Sequence, residues 1–137
     1  MGAAPHQYEI TATYEEENRL INGVEKITFT NTGETPLSEV YLFLYPNRYL
    51  EKDAKWNNDF YRRTYPAEFN PGSIQILSIS DTNGNDIAIT RFSQGKTIAE
   101  IRLDTPLSPG DTFVFNVAFV SQIPERFGVF GAFRNWV

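Results

Sequence analysis

The chain has 137 residues, enough for one domain with a buried core, and 41% are hydrophobic against 21% charged, which excludes a disordered polymer. Its net charge of −5 speaks against nucleic acid or an anionic membrane surface as partner, because both require concentrated Lys and Arg. With no cysteine and one histidine, His6, thiolate chemistry is excluded and any His-based zinc site, triad or proton shuttle would depend on one residue near the N-terminus.

Tyr8 to Tyr14 alternates, with Tyr8, Ile10, Ala12 and Tyr14 on one face and Glu9, Thr11 and Thr13 on the other, which predicts a half-buried strand. Glu15-Glu16-Glu17-Asn18 reads as a solvated acidic turn. Arg19 to Asn31 is expected to return antiparallel, with Ile27 and Phe29 on one face and Lys26, Thr28 and Thr30 on the other. Gly23 inside that run marks a bulge or a close approach. Asn31 to Pro36 is a turn.

In Val40 to Tyr45, Val40, Leu42 and Leu44 share one face and Tyr41, Phe43 and Tyr45 the other. Both faces are apolar, so this stretch is expected to be a central strand covered on both sides, third in a meander with the first two. Pro46 ends it.

Glu51 to Ser73 breaks the pattern, mixing charges with Trp56, Phe60, Tyr61, Tyr65 and Phe69, and only Asp59 to Arg63 suggests a helical turn. A long irregular connection of this kind is uncommon in a compact domain and often functional. Its aromatics are expected either to anchor the crossover or meet a partner domain, or to form a ligand surface. Ser73 to Asp81 is a strand with a phase slip at Ile76-Leu77. Asn83-Gly84 is a hairpin signal, and the surrounding Asp81-x-Asn83-x-Asn85 fails as a calcium loop because Asp86 and Phe92 stand where glycine and glutamate are required.

Ile87 to Phe92 and Thr97 to Leu103 are two further strands, and Thr105 to Gly110 a proline-punctuated connection. Asp111 to Val120 alternates strictly, with Phe113, Phe115, Val117 and Phe119 inward and a second face that is also largely apolar, the mark of a central or covered strand. Ser121 to Val137 loses periodicity and reads as apolar chain that expects a partner surface. Strands at this spacing define an all-β fold, a mostly antiparallel sandwich or saddle-like sheet with one long aromatic crossover, in a single domain over 1–137. No apolar run reaches the ~18 residues of a membrane span, so no membrane insertion by this segment is expected, and Met-Gly-Ala-Ala-Pro-His lacks the regions of a signal peptide.

Several segments fall in an order that resembles the N-terminal β-domain of zinc metallopeptidases of the aminopeptidase N family, closest to a bacterial branch. They are Tyr8-x-Ile10, Arg19 to Asn31, Pro36-Leu37, Val40 to Asn47, Pro71 to Ile74, Pro106 to Asp111, Ile123-Pro124, Arg126 to Gly128 and Asn135-Trp136. The resemblance implies a non-catalytic domain that braces the catalytic domain of the same polypeptide and walls its substrate cleft. It places zinc and the His-Glu-x-x-His helix in that other domain. It also implies that the family domain's last strands lie beyond Val137. No cofactor and no catalytic or metal-binding residue is assigned to this chain, which alone is expected to be inert.

The candidate interface or ligand surface is Asn47, Tyr49, Trp56, Phe60, Tyr61, Tyr65, Phe127 and Trp136. Changes at Asn47 or Tyr49 are expected to alter docking rather than folding. The alternative is a free-standing binding or adhesion module that uses Trp56, Tyr61 and Tyr65 as a ligand platform. A third reading has exposed strand edges pairing with copies of the chain.

Overall fold

The computed structural model describes residues 6–133. In chain order the strands are β1 (Gln7–Glu15), β2 (Leu20–Thr30), β3 (Leu37–Phe43), β4 (Ser73–Asp81), β5 (Ile89–Ser93), β6 (Ile98–Leu107) and β7 (Thr112–Gln122). A 3-10 turn, Tyr45–Tyr49, and a helix α1, Asn58–Thr64, lie in the crossover between β3 and β4. The strands form two antiparallel sheets, β1-β2-β7-β4 and β3-β6-β5, which makes the all-β sandwich.

The core lies between the sheets. Ile27, Ile79, Phe115 and Val117 from the larger sheet meet Val40 and Ile101 from the smaller, with Phe29, Leu42, Ile76 and Ile89 around them. β7 is central, paired with β2 on one side and β4 on the other, as its two-faced apolar pattern predicts. Gly23 faces Phe119 across the β2–β7 pair, and a Cβ there would lie 2.5 Å from the ring, so the glycine marks a close approach. The slip at Ile76-Leu77 is a bulge: the β4–β7 register shifts between Ile76 and Ser78, and Leu77 is exposed.

Several expectations are corrected. β3 is an edge strand of the smaller sheet, not a central one, and its Tyr41, Phe43 and Tyr45 face is exposed. Nothing among the described residues covers that face. Instead Tyr41 donates a hydrogen bond to the Glu39 carboxylate, and the Phe43 and Tyr45 rings stack 5.8 Å apart. The meander stops at two strands, because the Asn31–Pro36 turn carries the chain into the other sheet.

Buried Asn31 fixes that change of sheet. Its Nδ2 donates to the carbonyls of Thr35 and Leu107 at 2.9 and 2.8 Å, and its Oδ1 accepts from Gly33 N. β1 is not half-buried: every residue from Gln7 to Glu15 is exposed, since the smaller sheet stops short of it. β6 continues through Pro106 to Leu107, where it pairs with Leu37. β5 pairs β6 only from Ile98 to Ile101, so Pro106 lies beyond the three-stranded part of the sheet, where a proline is tolerated.

The Asn83-Gly84 turn forms as expected, with Asp81 Oδ1 accepting from Asn83 N and Asn85 N. The strand that follows pairs only briefly, at Ser80–Asp86, before crossing to the other sheet as β5. His6 packs flat on Phe29 at 4.6 Å, and its Nδ1 accepts from Thr30 N at 3.2 Å.

Candidate interface surfaces

The crossover begins at the 3-10 turn. Asn47 is buried there, and its Nδ2 donates to Lys96 O while its Oδ1 accepts from Ile74 N, both at 2.8 Å. One side chain therefore ties the turn to the start of β4 and to the β5–β6 connection. The expectation that Asn47 acts through docking gives way to a structural duty, because its polar atoms are already committed inside the chain.

Asn57 caps α1 by accepting from Phe60 N at 2.9 Å, Asp59 sits in the first turn, and Arg62 and Arg63 sit in the last, the arrangement a helix dipole favours. This one-sided helix turns Tyr61 and Tyr65, spaced i and i+4, inward. Both are buried, with rings 5.9 Å apart and Phe69 edge-on to each. The Tyr61 hydroxyl donates to Asp53 O at 3.0 Å. Burial raises the Tyr65 phenol above its ordinary pKa, against the opposing influence of Arg126.

Arg126, from the segment after β7, is itself buried. Its guanidinium lies over Tyr49 at 4.5 Å and Tyr65 at 5.6 Å, and its Nη1 donates to Val129 O. Its Nε has no hydrogen-bond partner among the described residues. Phe127 N donates to Thr64 O at 2.7 Å, and Glu125 N donates to Asn70 Oδ1 at the same distance. The last segment thus closes onto the crossover with Ile123, Pro124 and Ala132 buried, where the sequence suggested apolar chain awaiting a partner.

The candidate residues therefore separate. Tyr61, Tyr65 and Asn47 are inside, and Tyr49 is half-buried against Arg126 and Phe130. Trp56 and Phe60 form an exposed pair with rings 4.1 Å apart, and Phe127 is exposed beside Phe133. Trp136 lies outside the described residues.

A second surface was not singled out from the sequence. A groove of about 320 Å³ runs between the free side of β3 and the larger sheet, with Tyr8, Tyr41, Phe43, Tyr45 and Phe119 among its walls and Glu25 in it. Tyr8 and Ile10 are 59% and 60% exposed. Glu25 shares the inward phase of Ile27 on β2, and that was the available signal: one carboxylate in an apolar register.

Glu25 makes no ion pair or hydrogen bond among the described residues, and burial raises its pKa above the ordinary carboxyl value. Because the folded pKa is the higher one, ionising Glu25 opposes folding. That cost is absent below the unfolded pKa, grows as pH rises, and is complete above the folded value. Glu25→Gln is therefore expected to raise the melting temperature at neutral pH and leave it unchanged in acid, a pattern that paired thermal melts will check.

A third, more open cavity of about 460 Å³ is lined by Glu51, Lys52, Asp53 and the Gln94–Thr97 turn, with charges of both signs among its walls. Among the described residues, no group of three or more His, Asp or Glu side chains is placed to hold a metal ion. The zinc that the resemblance implies therefore has no site among these residues.

No family profile and no curated protein matches the chain. Among solved structures it is similar to a mutant of a two-domain M1 zinc metallopeptidase bound to L-arginine, at 18% sequence identity and a TM-score of 0.48. The alignment covers 90% of this chain and 21% of that one, so the chain spans about a fifth of that protein's length.

Proposed function

We propose that this chain is a non-catalytic β-domain that docks on the catalytic domain of an aminopeptidase N-type zinc metallopeptidase within one polypeptide. It braces that domain and walls one side of the substrate cleft. The observation that carries the docking is the uncovered apolar surface formed by β1 and the free side of β3, where Tyr8, Ile10, Tyr41, Phe43 and Tyr45 are exposed side chains. Contiguous exposed apolar surface of this kind marks an interaction site. The order of sequence segments shared with that peptidase domain supports the identity of the partner. Zinc and water chemistry then belong to the partner domain.

The test is the reading frame beyond Val137, expressed with and without that downstream segment and assayed on an aminoacyl reporter substrate. The longer chain is expected to be active and sensitive to a zinc chelator, and the 137-residue chain inert. A frame that continues without a His-Glu-x-x-His helix sinks the peptidase assignment.

A second reading, a free-standing binding module, draws support from the exposed Trp56–Phe60 pair. It loses its other two platform residues, Tyr61 and Tyr65, to the interior. A frame that ends without a second domain would favour it.

A further inference from the structure

The two sheets are unequal. Three strands, β3-β6-β5, face four, β1-β2-β7-β4, and the strand left over is β1, whose inward-phase residues Tyr8, Ile10, Ala12 and Tyr14 are all exposed. Beside that bare strip, β3 keeps one edge open: its ladder partners from Leu37 to Phe43 all lie on β6, and its other side pairs with no strand among the described residues. The groove between them contains Glu25, a carboxylate with no cation partner among the described residues. A bare apolar strip, an open row of backbone groups and an unpaired charge thus meet in one place.

We propose that this groove is a vacant strand position, filled by an extended segment of the partner domain that adds to the free edge of β3, lays alternate apolar side chains over Tyr8 and Ile10, and brings one Lys or Arg to Glu25. The source of the segment rests on the proposed function; the chemistry of the position does not. Strand addition draws affinity from main-chain hydrogen bonds and specificity from alternate side chains, and the groove offers both. Charge decides against a second copy of the chain as occupant. Of its four edge strands, β1, β3 and β4 carry no Lys or Arg, and Arg91 on β5 is already paired with Glu100, so none of them would neutralise Glu25.

The probe is a nine-residue synthetic peptide of alternating Val and Thr with a central Lys, titrated into the chain while backbone amide exchange is followed residue by residue. Binding is expected to slow exchange along β3. A peptide with Glu in place of the central Lys is expected to bind about tenfold more weakly, and Glu25→Gln to bring the two within about twofold of each other. No binding, equal affinity of both peptides for the unaltered chain, or protection confined to the β1 edge would overturn the proposal. So would slowed β3 exchange without peptide in a sample that sediments as a dimer, since a second copy would then hold the position. A failed titration leaves the peptidase reading to be judged by the downstream frame, and a frame without the zinc motif leaves a positive titration intact.

Discussion

Phe115→Ala is expected to destabilise the chain by about 3–5 kcal/mol and to lower its melting temperature by roughly 10–20 °C. Phe115 is 0% exposed and sits at the middle of the sandwich. Its strand is held on both sides, opposite Ile27 on β2 and Asp81 on β4, and its ring stacks on Phe113 at 5.0 Å. A truncation here leaves a cavity that the fixed neighbours cannot collapse to fill, so the cavity adds to the lost burial. Leu77→Ala is the matched control, because Leu77 stands exposed on the β4 bulge and should shift stability by no more than about 0.5 kcal/mol. Thermal melts of the two variants check the placement of the core. If they coincide, the core has been misassigned.

Asn47→Leu is expected to cost about 2–4 kcal/mol although the replacement has nearly the same size. The side chain satisfies Ile74 N and Lys96 O, and a leucine, buried in place of the amide, would leave both the half-buried donor and the carbonyl acceptor without this partner. Each orphaned group carries its own desolvation penalty of about 1–3 kcal/mol. Exchange at the Ile74 amide should accelerate together with the fall in melting temperature, which ties the loss to this clamp. Arg48→Ala, at the exposed neighbour, should do neither. A variant that melts with the unaltered chain would mean that the crossover is held elsewhere.

The sequence shows which residues share a face more readily than whether that face is covered. β7 could be read correctly because Phe113, Phe115, Val117 and Phe119 alternate with a second, mostly apolar face, and both of its edges are in fact paired. Val40 to Tyr45 carries the same two-faced signature and sits at an edge, with Tyr41 and Phe43 47% and 60% exposed. Periodicity cannot separate the two cases, since cover is supplied by distant chain or by another domain. β1 was misread for the same reason: its alternation is genuine, but no strand of the smaller sheet reaches it.

The crossover was legible as irregular and aromatic, with a helical turn near Asp59 to Arg63 where α1 forms. Which rings turn inward was not legible. That depends on Arg126 arriving from beyond β7 to lie against Tyr49 and Tyr65. Asn47 likewise looked like a surface polar residue after a proline, because its two partners come from β4 and from the β5–β6 turn. Glu25 could have been found from the chain alone, as the charged member of the inward register shared with Ile27 and Phe29.

The strand order of the larger sheet also governs when the molecule can form. Among the described strands β7 comes last in sequence, yet it stands between β2 and β4, with Leu20 paired to Gln122 and Thr30 to Thr112. Until it emerges, the β1–β2 hairpin exposes its inner edge and β4 has no neighbour in its sheet. Contacts so distant in sequence place such a chain among the slow, millisecond-to-second folders, and the waiting edges are open to mispairing in the interval. The nascent chain therefore stays vulnerable until β7 closes the larger sheet.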